Sequence, residues 1–340
     1  MQGSASAVNT QVLSDYLKRH VPGFRDPVIL MKFSSGQSNP TFLLSAASGQ
    51  YVLRCQPWGA LLKSAHAVDR EFRVQQALAN TAVPVARVFH LCEDVSVIGV
   101  KFYLMSYERG EIYWDPALPQ VPFENRVTYY DEAIRILAAL HRINVDAIGL
   151  ADYGKPGNYF ARQIDVWTRQ YRASETRVIE PMETLMAWLG QNRPADDGCA
   201  TLVHGDFRFD NIVFRQDQAV GLAVLDWELS TLGHPLADIA YFCMGLRIPS
   251  GEVSFGLGGK DRLALGVPDE EYIVDRYCQL RGISQIVRWD FYLAFSFFRL
   301  ASIIQGVYKR SLAGNASNER AGRTGAMVEQ LAGLALSSIR

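Results

Sequence analysis

The sequence predicts an α+β protein of two lobes. Residues 1–108 form a small, strand-rich lobe with one prominent helix, and residues 109–340 form a larger, mostly helical lobe. Three observations lead there. Strand-like pieces crowd the first hundred residues, helical apolar spacing takes over after Arg109, and 340 residues are more than one small domain needs. Apolar residues make up 49% of the chain and charged residues 20%, a globular balance too apolar for disorder over most of the length.

In the first lobe, Val12, Leu13, Tyr16 and Leu17 give Thr10–His20 one apolar face, the mark of a short amphipathic helix. Val28–Phe33 reads as a strand, and the turn-rich run Ser34–Pro40 follows it. Thr41–Ala46 and Tyr51–Arg54 then flank a turn at Ser48-Gly49, so the region reads as strand, polar loop and hairpin. Ala65–Ala79 reads as a helix whose inward stripe is Val68, Glu71, Phe72, Gln75 and Leu78. Val85–Cys92 and Val100–Tyr107 read as two more strands.

In the second lobe, Ile134, Leu137, Ala138 and His141 recur at helical spacing in Tyr130–His141. Tyr159–Ala173, Pro181–Leu189 and Glu270–Arg281 read as helices. Leu202–His204, Ile212–Phe214 and Ala223–Leu225 read as short strands. Trp289–Arg310 is helical and apolar almost all round, so a buried helix is expected. Ser250–Pro268 holds five glycines and little periodicity, and a loop of that length is functional or mobile.

Thirty-four Lys and Arg against 35 Asp and Glu give a net charge of −1, which lacks the basic footprint of a nucleic-acid binder. The longest apolar stretch, Leu293–Val307, is interrupted by Arg299 and too short to span a membrane. The first twenty residues hold no apolar core of a secretory signal. The five cysteines are scattered without a CxxC pair, as in reduced intracellular thiols. A cytoplasmic protein that touches neither membrane nor nucleic acid is expected.

Chemistry concentrates in Leu202-Val-His204-Gly-Asp206-Phe-Arg208-Phe-Asp-Asn211-Ile-Val-Phe214. An apolar strand ends at His-Gly-Asp, Asn211 follows Asp206, and another strand begins at once. Further on, Ala223-Val-Leu225 ends in Asp226-Trp-Glu228. Phosphoryl transfer needs this set: an Asp to position the acceptor hydroxyl and take its proton, and an Asn with a second Asp to hold Mg²⁺ on the nucleotide phosphates. Oxygen donors suit Mg²⁺, and two from the protein suffice because phosphates and water supply the rest. Each piece alone is as well read as a turn or a helix cap. The ordered set of two strands, two acids and an Asn is far more specific.

With Asp206 and Asn211 in one motif and Asp226 at a strand end, the sequence resembles the aminoglycoside phosphotransferase/choline kinase family, which has a protein-kinase-like fold. HGDFRFDNIVF and LDWELSTLGHPLADIAY are most similar to the phosphotransferase domains associated with, or fused to, acyl-CoA dehydrogenases. The resemblance covers roughly residues 25–335. It implies an ATP- and Mg²⁺-dependent kinase of a small molecule, with Asp206 as base, Asn211 and Asp226 as metal ligands, and a functional link to an acyl-CoA dehydrogenase.

The resemblance also implies where the nucleotide goes. Gly36, Gln37, Ser38 and Asn39 lie in the loop between two strands where the family grips phosphate. That loop has one glycine rather than a glycine-rich run, and an ordinary hairpin turn is the other reading. Arg54 stands where most kinases carry Lys; it keeps the charge but is bulkier and forked. Glu71 falls on the buried stripe of its helix, where a carboxylate is costly unless paired, and Arg54 would pair it. Arg70 and Arg73 are the alternative partners. Ser106 and Glu108 sit at the strand end where adenine would meet the backbone. Arg208 has the spacing of a residue that neutralises the transferring phosphoryl, with a surface salt bridge as its other reading. Asp238 resembles a family position that braces the catalytic loop, and His204 reads as a structural hydrogen-bonding residue.

For the acceptor, the chain offers no acidic funnel: residues 250–340 hold nine Asp and Glu against eleven Lys and Arg. A cationic aminoglycoside or choline would want acids or aromatics. The helix Trp289–Arg310 carries Phe291, Tyr292, Phe295, Phe297 and Phe298 beside Arg299 and Lys309-Arg310, an apolar wall with a basic rim. That suits a hydroxylated acyl chain on an anionic carrier such as CoA, so a hydroxyacyl-CoA or hydroxy acid is the expected substrate. Two other classes stay open. One is a nucleotide-binding protein with impaired catalysis, suggested by Arg54. The other is a metallohydrolase built on His204, Asp206, Asp226 and His234.

Overall fold

The computed structural model describes residues 8–33, 39–59, 67–251, 256–312 and 325–339. In chain order the elements are α1 (Thr10–His20), β1 (Ile29–Lys32), β2 (Thr41–Ala46), β3 (Gly49–Cys55), α2 (Val68–Leu78), β4 (Val88–Cys92) and β5 (Phe102–Ser106). Then come α3 (Arg126–Leu140), α4 (Tyr159–Ser174), α5 (Glu180–Gln191), β6 (Thr201–Val203), β7 (Ile212–Phe214), β8 (Gly221–Val224) and β9 (Thr231–Gly233). Last are α6 (Leu236–Arg247), α7 (Glu270–Arg281), α8 (Trp289–Leu312) and α9 (Ala326–Ser338).

These elements form two compact units, residues 1–111 with 213–229 and residues 112–212 with 230–340. The division therefore differs from a single cut after residue 108: the segment around β7 and β8 belongs with the first unit. The backbone shows why. Glu111 and Phe214 exchange two hydrogen bonds of 2.8 Å, and Val224 donates its N–H to Pro84 O at 2.9 Å. Gly110 makes the first of these contacts possible, because a Cβ there would lie 2.1 Å from Phe214 O.

The first unit is built on a five-stranded antiparallel sheet in the order β1-β2-β3-β5-β4. The β2–β3 hairpin pairs Ala46 with Gly49, and the φ of +137° at Gly49 suits a residue without Cβ. This register places Arg54 opposite Thr41 on one side and Tyr103 on the other. Asn9 caps α1 by accepting from the N–H groups of Gln11 and Val12. Leu13 and Leu17 of that helix join Phe42, Leu44, Leu53, Phe102 and Leu104 in one core. On α2 the buried face is Val68, Glu71, Val74, Gln75 and Leu78. Phe72, expected on that stripe, is half-buried beside Tyr103, and Val74 takes the inner place.

The second unit is helical around α8, which packs on α4, α5, α6 and α9. Its aromatic run, Phe291 to Phe298, is buried. By length and composition α8 could cross a membrane, but most of its apolar window is covered by these neighbours, as in the core helix of a globular unit. The antiparallel pair β6–β9 brings residues 201–203 beside 231–233. Helix α6 was absent from the sequence reading, and it carries Asp238 and Tyr241.

Truncating a fully buried ring of α8, Phe295→Ala, should cost about 3–5 kcal/mol in denaturant unfolding. Leu263→Ser, at a position 84% exposed, should change stability by no more than about 0.5 kcal/mol.

Candidate active site

In the first unit, three charged groups meet. Arg54 Nε lies 2.7 Å from Glu71 Oε2, and its Nη2 donates to Asp226 Oδ1 at 2.5 Å. Glu71 is 1% exposed, so its carboxylate must be satisfied from within. It is: Asn39 Nδ2 donates to Oε1 at 2.6 Å, and the Tyr103 hydroxyl donates to Oε2 at 3.2 Å. Gln75 holds the Tyr103 hydroxyl in turn at 3.0 Å. Burial pushes the Glu71 carboxyl up, and Arg54 opposes that only in part. For Arg54, burial works against the charge, but Glu71, Tyr103 and Asp226 outweigh it and hold the guanidinium above its usual range.

Asp226 sits at the end of β8 with φ +63°. An Asp tolerates this left-handed conformation better than most residues, at a cost of about 1–2 kcal/mol. The turn that follows is pinned by buried Trp227, whose Nε1–H reaches Val224 O at 2.9 Å, and α2 packs against it. The carboxylate keeps 33% of its surface exposed.

Gly36, Gln37 and Ser38 lie outside the described residues. Asn39, from the same expected loop, spends its amide on Glu71. At the end of β5, Ser106 exchanges backbone and side-chain bonds with Arg87. Its N–H donates to Arg87 O at 2.8 Å, and its Oγ accepts from Arg87 N at 2.9 Å. The Ser106 hydroxyl donates to Glu108 Oε1 at 2.5 Å.

In the second unit a buried carboxylate organises the Asp206 loop. Asp238 accepts the N–H groups of His204 at 2.6 Å and Gly205 at 2.9 Å, and His141 Nε2 lies 3.2 Å away. His141 Nδ1 meets the Tyr277 hydroxyl at 2.7 Å. Burial works to raise Asp238, but His141, His204 and the backbone bond outweigh it and hold the carboxyl below its usual range. Burial lowers His141 more than Asp238 raises it. The consistent state is a carboxylate beside a neutral imidazole that donates from Nε2. The loop itself alternates: Phe207 and Phe209 are buried against Phe242, and Arg208 between them turns outward.

Asp206 is therefore presented on a fixed loop. Its own N–H donates to His204 Nδ1 at 3.1 Å, which makes His204 a hydrogen-bonding residue. Asn211 Nδ2 donates to Asp206 O at 2.7 Å and to Oδ2 at 3.2 Å, which orients the carboxylate. That assignment turns the amide oxygen of Asn211 away from Asp206. That amide oxygen in the second unit, and separately the part-exposed Asp226 carboxylate in the first, are each hard oxygen donors. Arg208 is exposed, pairs with Asp210 at 2.6 Å and lies 3.7 Å from Asp206 Oδ1. Tyr241, not singled out in the sequence, is buried beside Asp206. Burial pushes its phenol up and Asp206 adds to the effect.

Two expectations change. Of the basic rim expected on α8, Arg299 is buried at 4% exposure, while Lys309 and Arg310 stay exposed and the Lys309 ammonium donates to Ala173 O at 2.7 Å. Of the expected hydrolase quartet, His234 is engaged by other partners. His234 faces Asp197 at 3.3 Å, beside Cys199, on a cavity of about 280 Å³ that Phe160 and Tyr292 also line. Its Nδ1 accepts the Leu236 N–H, so the ring proton points at Asp197 and neither nitrogen is open to a metal.

A phosphotransferase enzyme family model matches residues 29–263. The chain belongs to the phosphotransferase enzyme family. It is thus a phosphotransferase of the small-molecule kinase type. It is 47% identical to mouse acyl-CoA dehydrogenase family member 10 over 97% of its own length, and 42% identical to rat acyl-CoA dehydrogenase family member 11 over 96%. It spans only 31% and 43% of those two proteins. Among solved structures, a putative aminoglycoside phosphotransferase from Ralstonia eutropha is 45% identical with a TM-score of 0.88, and the match covers 97% of this chain and 98% of that one. Spectinomycin phosphotransferase bound to ADP and spectinomycin, at 12% identity and a TM-score of 0.64 over 97% and 99% of the two chains, shares the protein-kinase-like fold.

Asp238→Ala should destabilise the protein by about 3 kcal/mol or more, since it strands two buried amides and His141. The pH sign follows from His141. Its folded value is depressed, so its contribution is whole above the unfolded value of about 6.5 and is lost as pH falls below that. Melting temperature should fall on acidification from neutral pH, and His141→Gln should flatten the decline.

Proposed function

We propose that this kinase transfers the γ-phosphoryl of ATP, with Mg²⁺, to the hydroxyl of a hydroxyacyl-CoA or a hydroxy acid. The observation that carries the proposal is the Asp206 carboxylate, oriented by Asn211 on a loop that Asp238 holds. Asp206 accepts the hydroxyl proton as the acceptor oxygen bonds to the γ-phosphorus. The bond from that phosphorus to the bridging oxygen breaks, and ADP leaves with the electron pair. Asn211 and Asp226 would hold the Mg²⁺, which neutralises phosphate charge when bound. Arg54, kept in place by Glu71, binds phosphate oxygens, and Arg208 offers a cation near Asp206. Backbone N–H groups of residues 36–39 would cradle the phosphates, and backbone near Ser106 and Glu108 would receive the adenine. The acyl-CoA acceptor and a partnership with an acyl-CoA dehydrogenase are supported by the names of the relatives.

One observation favours a second reading. Arg54 holds Asp226 at 2.5 Å, a grip that competes with a metal, as expected of a nucleotide-binding protein with impaired transfer. γ-Labelled ATP with Mg²⁺ separates the two against a panel of 3- and 4-hydroxyacyl-CoAs, the free hydroxy acids, choline, homoserine and an aminoglycoside. Label should pass to the hydroxyacyl class. Asp206→Asn should slow that transfer by about 10²–10⁴-fold while the melting shift with nucleotide stays. Transfer only to choline or the aminoglycoside would replace the acceptor class. Undiminished transfer by Asp206→Asn would remove the base.

A further inference from the structure

Arg299 is a buried cation with no anion beside it among the described residues. Among the described residues no carboxylate lies within ion-pair distance of it, and its Nε is sealed from solvent with no acceptor. It is 96% covered, with 4% of its surface open. A guanidinium carries its charge wherever it is placed, and a buried charge is costly until paired. Two aromatic faces offset part of that cost. The guanidinium lies 5.6 Å from the ring centre of Trp167 on α4 and 5.3 Å from that of Tyr241 on α6. Rings stabilise the faces of the planar group. They leave the buried Nε–H at its edge without an acceptor.

Position adds to the argument. The Tyr241 ring that faces Arg299 belongs to the side chain whose hydroxyl lies beside the Asp206 carboxylate. Arg299 and Asp206 are thus one tyrosine side chain apart, both within the second unit. A short hydroxylated acyl group has matching ends: a hydroxyl to donate, and an oxygen acceptor a few bonds away.

We propose that Arg299 anchors the acyl oxygen of the acceptor, a thioester carbonyl or a carboxylate, while Asp206 receives its hydroxyl, with Tyr241 as the wall between them. This rests on the kinase reading above and names the residue that makes it selective for acyl compounds. Trp167 and Tyr241 act as positioning residues that hold the guanidinium flat. An alcohol of the same size without an acyl oxygen satisfies only half of the site. The guanidinium would then stay unpaired.

The test compares 3- and 4-hydroxybutyrate and their CoA thioesters with 2-butanol and 1-butanol, using the wild type, Arg299→Met and Arg299→Lys. Arg299→Met should raise KM for the acyl acceptors about 100-fold and leave both the slow rate on the butanols and the melting shift with nucleotide unchanged. Arg299→Lys, which keeps the charge but loses the fork, should fall between. It replaces Arg299→Met as the deciding variant if the latter shows no nucleotide shift. A loss confined to the free acids assigns a carboxylate, and an equal loss on thioesters assigns the carbonyl. An unchanged KM for all acyl acceptors, or an equal loss on the butanols, overturns the anchor while leaving the kinase standing. If the wild type transfers phosphoryl to none of them, calorimetry with 4-hydroxybutyrate decides. Binding that Arg299→Met abolishes keeps the anchor and rejects the kinase reading; no binding rejects the anchor.

Discussion

The Arg54–Glu71 pair is the constraint from which the first unit is organised. A carboxylate 1% exposed on an α2 face is tolerable only with a cation and hydrogen-bond donors around it. The sheet register supplies these by placing Arg54 and Tyr103 on adjacent strands opposite α2. Asn39 comes in from the start of β2, and Gln75 orients the Tyr103 hydroxyl. One ion pair therefore fixes a helix, two strands and a loop end to one another. Arg54 then extends its fork to Asp226, which ties the β8 turn into the same unit. A lysine has a single ammonium and would not span both carboxylates as a planar fork does. The Arg found where most kinases carry Lys is thus a bridging element of this unit.

The second unit repeats the device with a different carboxylate. Asp238 spends its oxygens on two backbone N–H groups and His141, so the turn at Gly205 is held from beneath. With the loop fixed from below and Phe207 and Phe209 buried, Asn211 donates to the Asp206 carboxylate. Their hydrogen bond sets the carboxylate's orientation before any substrate arrives, and preorganisation of that kind costs nothing at the moment of reaction. Arg299 departs from this pattern. The other buried charges described above have an opposite charge or donors within reach, whereas among the described residues Arg299 is met by the rings of Trp167 and Tyr241.

Much of this was legible in the sequence, for physical reasons. Strand β2 alternates in burial, the catalytic segment couples apolar strands to a fixed spacing of acid and amide, and Glu71 shares a stripe with Val68 and Leu78. Helix α6 was not legible, because Ile239, Ala240, Phe242 and Cys243 are apolar without a period. Only Pro235 at its start and Asp238 in its first turn mark it. Tyr241, and with it the neighbourhood of Asp206, went unseen for that reason. The membership of residues 213–229 in the first unit depends on two backbone hydrogen bonds at Glu111 and a close approach at Gly110, which no side-chain pattern encodes. The sequence placed Arg299 at a rim because a charge in an apolar helix is usually at an edge. Packing of α4 and α6 around α8 puts it inside.

The most direct test of the account is the Mg²⁺ concentration that half-saturates binding of a non-hydrolysable ATP analogue, measured for the wild type and Glu71→Gln. Glu71 is 1% exposed, so it acts through Arg54. With its charge removed, Arg54 is left to Asp226 alone and would compete harder with the Mg²⁺ proposed at that carboxylate. The account predicts a Mg²⁺ requirement raised several-fold in Glu71→Gln with the fold intact. An unchanged Mg²⁺ requirement would show that Asp226 is set independently of the Arg54–Glu71 pair, and would contradict the account.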